Sequence, residues 1–440
     1  MNGFGGLAKR MLSVGRRSGW LVLSAVASTP AMASGVPEVG FPVEAPGPGP
    51  FTFPSAEQTS VKVEIVARGL VNVFSLAFLP NGDALIVERG QRLRLLRHAT
   101  GPNPELVPQP VANAPEYSKA EHLNPLDMMG IQDVKPDPDF AKNRLVYFTY
   151  NRPDGYDPVE KRIKGVTVLA RARLDDLRLT DIKDLMVGES LIGPGSSRIM
   201  IGNDRHIYMS VGALSERDIE SSQRTDNIYG KVLRVGFDGS IPADNPFVGV
   251  KGARPEIWTY GHRDALGLAI DPQTGRIVAS EHGPQGGDEL NVLIPGKNYG
   301  WPNYTYGTQY GGSPLPSAPV GAGTQGPFLI WAPGIAPNGI TFYTGAAMPG
   351  WSNNLFVASA RRGQINGTGA IIRVVFNDRL EEMRQEVLLD GLHQRFKDVR
   401  QGPDGLLYAV TDEENAIVVR IGPGADASQG TAAARDAVHQ

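Results

Sequence analysis

The stretch LAFLPNGDALIVE, residues 76–88, decides the fold, because it is the plainest copy of a pattern that returns five more times. An aliphatic strand runs into a polar turn of Asn, Asp, Pro or Gly and out into a second aliphatic or aromatic strand. The other copies are VKPDPDFAKNRLVYFTY from Val134, RIMIGNDRHIYMSV from Arg198, LAIDPQTGRIVASE from Leu268, ITFYTGAAMPGWSNNLFVAS from Ile340 and VRQGPDGLLYAVTD from Val399. Each reads as the central hairpin of a four-stranded blade. Six copies across residues 60–422 give about 60 residues per unit, more than the ~40–50 of common propeller repeats, and the surplus is expected in loops. The expected fold is therefore all-β, a six-bladed β-propeller of four-stranded antiparallel blades, since six hairpins are too many for an ordinary two-sheet sandwich. VKVEIVA from Val61 is placed to pair with AIVVRIG from Ala416, so that one blade joins both ends of the chain and closes the ring.

Composition agrees with many short strands and many turns. Of 440 residues, 53 are Gly and 35 are Pro, one in five, which disfavours a helical bundle. Charge is nearly balanced, 43 Lys+Arg against 46 Asp+Glu, and gives no basic excess for a nucleic-acid partner. There is no cysteine, which excludes disulfides, thiolate metal sites and cysteine nucleophiles. The seven histidines show no HExxH spacing, and neither a P-loop nor a dinucleotide-binding glycine turn is present.

The chain ends read differently. Residues 1–33 carry Lys9, Arg10, Arg16 and Arg17 ahead of an apolar run from Trp20 to Ala27 and then Ala31-Met32-Ala33, the pattern of an export signal cleaved near Ala33. The apolar run is shorter than the about 20 residues a membrane helix needs. No stable membrane span is expected after its removal, and the mature protein is expected to be periplasmic or secreted. Residues 34–56 read as a Pro/Gly-rich linker that adds little to the core, residues 57–423 as the propeller, and residues 424–440 as a flexible tail.

In a propeller, loops from several blades converge on the axis, so functional residues should be scattered along the sequence. Four segments fit: GHRDALGLA from Gly261, SEHGPQGGDELNV from Ser280, ASARRGQ from Ala358 and LHQRFKDVRQGPDG from Leu392. They supply Arg263, Arg361, Arg362, Arg395 and Lys397, suited to a ligand with several carboxylates. In HGPQGGDE, three glycines and a proline force a tight turn whose carbonyls, with Asp288 and Glu289, suit a hard cation such as Ca2+.

These segments, with GIQDVKPDPDFAKNRLVYFTY from Gly130, GKVLRVGFDGSIPADNPFVG from Gly230 and NYGWP from Asn298, resemble the soluble pyrroloquinoline quinone (PQQ) dependent sugar dehydrogenases, the glucose/sorbosone dehydrogenase-like propellers. The resemblance implies a Ca2+-assisted oxidoreductase that oxidises an aldose or related alcohol by hydride transfer to PQQ, with an unspecified electron acceptor. It implies that Gly283 and Pro284 offer carbonyls to the Ca2+ on PQQ, and that Glu289 and Tyr299 serve a second Ca2+. It further implies that Arg361, Arg395 and Lys397 hold the PQQ carboxylates, with Arg263 beside the quinone and His282 in the pocket. Several positions depart from the family pattern. Pro194 or Gly195 stands where relatives carry a general-base histidine, Asp264 stands for Asn, Leu266 for Gln, Ala213 for Asp, Met128 for Gln, and Asp137 for His. Asp264, His282 and His122 are the titratable groups left for proton removal. Two other readings stay open: a non-catalytic propeller that binds a sugar or anionic ligand, and a Ca2+-dependent lactonase.

Overall fold

The computed structural model describes residues 39–117, 128–213, 219–308 and 318–424. The expected signal, residue His122 and nearly all of the expected tail lie outside them. Among the described residues no helix is long and apolar enough to cross a membrane.

Six antiparallel sheets form a ring. The inner strands are Val73–Phe78, Gly130–Pro136, Ser197–Ile201, Ala265–Ile270, Pro337–Phe342 and Phe396–Gln401, and each packs beside the next round to the first. Each then pairs with the second strand of its blade, Ala84–Glu88, Leu145–Asp157, Ile207–Val211, Ile277–Glu281, Leu355–Ser359 and Leu407–Thr411. The repeated hairpin is thus the two innermost strands of each blade, not its central pair. The reason is packing: these strands are buried on both faces and read as continuous aliphatic runs, whereas the outer strands are shorter or half exposed.

A single conformational requirement unites the six turns. One or two residues before the second strand, the backbone is left-handed in every blade: Gly82, Arg144, Arg205, Gly275, Asn353 and Gly405 have φ between 58° and 86°. Gly and Asn take this conformation readily, so the polar punctuation of the repeat is a backbone requirement rather than mere hydrophilicity.

Six apolar clusters fill the six gaps between blades. Phe74, Leu85 and Val87 meet Ile131 and Val134 in one gap. Tyr343, Trp351 and Phe356 meet Phe396 and Val399 in another. Burial of a large side chain contributes roughly 1.5–3 kcal/mol, so each gap is a core in its own right.

Thr59–Leu70 pairs with Ala416–Pro423, in register Val63 with Ile421 and Leu70 with Ala416, and closes the ring as the sequence predicts. The linker expectation needs correction at its C-terminal end. Phe51–Ser55 pairs with Thr59–Leu70 and becomes a fifth, edge strand, with Phe51 and Phe53 packed on the adjoining core. Pro50 and Pro54 pointed away from a strand, but an edge strand needs fewer donors and tolerates proline. The surplus length is not all in loops either, for Leu145–Asp157 and Arg162–Asp175 are strands of 13 and 14 residues.

Candidate active site

In five of the six blades the start of the inner strand pairs with the end of the second: Val73 with Glu88, Ser197 with Val211, Ala265 with Glu281, Pro337 with Ser359, Phe396 with Thr411; in the other, Gly130 pairs with Asn151 and the second strand runs on to Asp157. Residues just ahead of an inner strand and just after a second strand therefore share one end of the ring. That rule gathers Ser196, Arg263, Asp264 and Arg395 with Arg89, His282, Gly283, Arg361 and Asp412, and Lys397 joins them as the second residue of its inner strand.

Arg263 lies on a turn held by a buried carboxylate. Glu281 accepts the Arg263 backbone N–H and the Nδ1–H of His262 at 2.9 Å, while His262 Nε2 meets the Thr259 hydroxyl at 2.9 Å. The Arg263 guanidinium reaches the His282 carbonyl at 3.3 Å and stands 5.5 Å from the Trp301 ring centre. It forms no ion pair with a described residue.

Asp288 shapes the next turn by accepting the N–H groups of Gly283 at 2.8 Å and of Ile335 and Ala336 at 2.7 Å. Gly283 is obligatory there, since a Cβ would fall 2.2 Å from the Gly286 carbonyl oxygen and 2.5 Å from that of Gly287. The carbonyls of Gly283, Pro284 and Tyr299 accept no hydrogen bond from any described residue.

Arg263, Glu281, His282, Gly283, Glu289 and Tyr299 line one small cavity of about 10 Å³. That is room for a single water or ion, not for a sugar. Glu289 and Glu281 are cross-strand neighbours, with Asn291 Nδ2 donating to Glu289 at 3.0 Å and to Glu281 at 3.4 Å. Burial, and then the Glu281 charge, push the Glu289 carboxyl up to about 8. A buried and a half-buried carboxylate beside an ion-sized void and a free carbonyl are a donor set that fits a hard divalent cation.

His282 Nε2 is buried without a partner. Burial, then the positive charges of Lys397 and Arg263, with Arg395 further down, hold its imidazole well below the usual range, so it is neutral at pH 7. Lys397 is 7% exposed and forms no ion pair or hydrogen bond through Nζ with a described residue, although Nζ stands 4.8 Å from the Phe74 ring centre. Burial is the main cause that pushes it down to about 7, and Arg89 and Arg198 add to it against Asp412 and Asp264. Arg395 is half buried, with its backbone pinned to Glu413 at 3.0 Å and to the Asp412 N–H at 2.8 Å.

Asp264 is 4% exposed and accepts the Ser196 hydroxyl. Burial raises its pKa above the ordinary carboxylate value, against the Ser196 hydrogen bond and the charges of Arg263 and Lys397. It stands over Gly212, where a Cβ would come within 2.6 Å of its Oδ1.

The structure thus brings Arg263, His282, Gly283, Glu289 and Tyr299 to one cavity, with Asp264, Arg395 and Lys397 within electrostatic reach. Pro284 lies beside it on the same turn. Arg361 is half buried on the loop after Leu355–Ser359, at the same end of the ring, but no contact joins its side chain to the others. Arg362 is turned aside into an ion pair with Asp390 at 3.1 Å. Arg89, Ser196, Glu281 and Trp301 join the site without having stood out in the sequence. Aligning the six hairpins would have exposed Arg89, which follows Glu88 as His282 follows Glu281.

The fold and site define a six-bladed propeller with a cation-rich well at one end of its axis. The chain belongs to the glucose/sorbosone dehydrogenase family, whose sequence model matches residues 70–420. It is 33% identical to the aldose sugar dehydrogenase YliI of Escherichia coli, over 84% of this chain and 94% of that one. It is 26% identical to quinoprotein glucose dehydrogenase B of Acinetobacter calcoaceticus, over 82% of this chain and 88% of that one. Among solved structures, a glucose dehydrogenase crystal structure superposes with a TM-score of 0.73 at 35% identity, covering 82% of this chain and 99% of the other. The apo form of the soluble Escherichia coli aldose sugar dehydrogenase gives 0.72 at 31% identity, covering 83% and 100%.

Proposed function

We propose that this protein is an exported, PQQ- and Ca2+-dependent dehydrogenase of aldose sugars. The observation that carries the proposal is Lys397, a buried side chain that forms no ion pair with a described carboxylate, at the same end of the ring as Arg263, Arg395 and a neutral His282 whose Nε2 has no partner. An anionic ligand with several carboxylates supplies what that well lacks. The name of the Acinetobacter calcoaceticus quinoprotein supports a quinone as that ligand.

In this reading Lys397, Arg395 and Arg361 would hold the carboxylates of PQQ, and Arg263 would serve its quinone end. The free carbonyls of Gly283 and Pro284 take one Ca2+, and Glu289 with the Tyr299 carbonyl takes a second. When bound, PQQ supplies the two-electron acceptor for the hydride that leaves the anomeric carbon of the sugar. The hydroxyl proton of that carbon goes to Asp264, whose burial makes it a stronger base than an exposed carboxylate and whose orientation Ser196 fixes. The sugar leaves as the lactone.

The test is to add PQQ and Ca2+ to the purified mature protein and follow quinone absorbance and dye reduction over a panel of aldoses. Both signals are expected, and absence of both removes the proposal. Asp264 lies beneath the surface of the well, which favours a second reading, a propeller that binds the same ligand without turnover. Thermal stabilisation by PQQ without dye reduction would select it.

A further inference from the structure

We infer that residues 39–47 form a strap that positions the two loops carrying Arg361 and Arg395, and that the strap sets how tightly the well holds an anionic ligand. The inference rests on the proposed function only for the identity of that ligand.

The strap crosses the site end of the fifth and sixth blades. The Phe41 N–H donates to the Asn366 carbonyl at 3.0 Å, and the Asn366 N–H donates to the Val39 carbonyl at 3.1 Å. Gly40 is pressed against the same residue, for a Cβ there would lie 2.5 Å from the Asn366 carbonyl oxygen. The Phe41 ring stacks on His393 at 4.7 Å between centres and 21° between planes. His393 Nδ1–H in turn donates to the Gly367 carbonyl at 2.9 Å. Gly367 has φ +66°, and a Cβ there would lie 2.7 Å from the Phe41 carbonyl oxygen. Gln394 Nε2 then donates to the Glu44 carbonyl at 2.7 Å, and Arg68 holds the carbonyls of Pro46 and Gly47.

These contacts meet two loops at once. The first turns back on itself through Arg362 and Thr368, with Arg361 at its base and Asn366 and Gly367 at its tip. The second runs through His393 and Gln394 directly into Arg395 and Lys397. Phe41 is 53% exposed, so its ring is placed there for one neighbour, His393, and not for a core. The two loops also meet at the Arg362–Asp390 ion pair, 3.1 Å, and where Gly369 packs on the Gln394 carbonyl, but at the tip of the first loop the contacts to the second are those of His393 and the strap. An anion shared by Arg361 and Arg395 needs both loops at a fixed separation, and the strap supplies that constraint before the ligand arrives.

The experiment compares the parent, Phe41→Ala, Phe41→Trp and Gly40→Ala by hydrogen exchange of residues 361–369 and 392–397, by thermal midpoint, and by PQQ titration with Ca2+. Phe41→Ala and Gly40→Ala should speed exchange in both loops at nearly unchanged midpoint and weaken PQQ several-fold, up to about tenfold, while Phe41→Trp keeps the stack and restores parent behaviour. Unchanged exchange in both alanine variants overturns the strap. Faster exchange with unaltered PQQ affinity overturns its link to the well. If the parent itself binds no PQQ, the proposed function fails, and the strap is then judged on exchange alone.

Discussion

Lys397 and Asp398 are neighbours in one strand, and they belong to opposite kinds of charge. Asp398 is fully buried and answered on every side, by Arg198 at 3.6 Å, by Arg400 at 3.1 Å and by the Leu76 N–H at 3.1 Å. Asp133 matches it across the axis, taking Lys135 at 3.5 Å and the Ile199 N–H at 2.8 Å. These carboxylates tie the sixth blade to the first and the second to the third, and Arg198 spans the middle over the Phe74 ring at 4.2 Å. Lys397, one residue away, has no such partner. A buried charge that is paired belongs to the scaffold, and one left open is a place for a ligand's charge.

Four substitutions probe that contrast. The largest effect is expected from Asp264→Asn, which should lower turnover by about 10²- to 10⁴-fold while PQQ still binds. In the parent, kcat should fall as pH drops through the raised pKa of Asp264, above the ordinary carboxylate range, because the base must be deprotonated. The variant should lack that limb in a dye-reduction profile.

Asp398→Ala strips Arg198 and Arg400 of their shared partner and should cost about 3–5 kcal/mol of stability, read from the denaturant midpoint. Lys397→Met should act in the opposite direction. Its folded pKa of about 7 lies below the ordinary 10.5, so the unfolded chain binds the proton more tightly and the lysine destabilises the fold. The variant should gain up to about 5 kcal/mol at or below pH 7, and the gain should shrink as pH rises toward 10. An equal loss of stability for both variants would erase the distinction between paired and open charge. Arg395→Ala, finally, should weaken PQQ by about 1.5–3 kcal/mol with little change in folding, as measured by titration.

Much of the fold was legible because the same backbone problem is solved six times. A left-handed residue before each second strand forces Gly, Asn or another tolerant residue into a fixed place, and the aliphatic runs on either side stand out. The edge strand Phe51–Ser55 was hidden by its prolines, and the long strands of the second blade by the expectation that surplus length means loops. At the site, Arg263 and Lys397 were legible from their place beside repeat boundaries, and His282 through the family resemblance. Ser196 was not, since a serine among Gly and Ser carries no signal until Asp264 is seen resting against it. Arg362 and Arg361 were indistinguishable in sequence, and only the Asp390 ion pair separates them. Pairing is a property of three dimensions, so the sequence could nominate cations but not say which were already satisfied.

The most direct measurement is a PQQ titration, with Ca2+ present, of the parent and Lys397→Met side by side under conditions where both are folded. The account predicts saturable binding to the parent at one site per chain and at least a tenfold loss in the variant. Equal affinity in the two proteins would mean that the open cation is not where the ligand's charge goes.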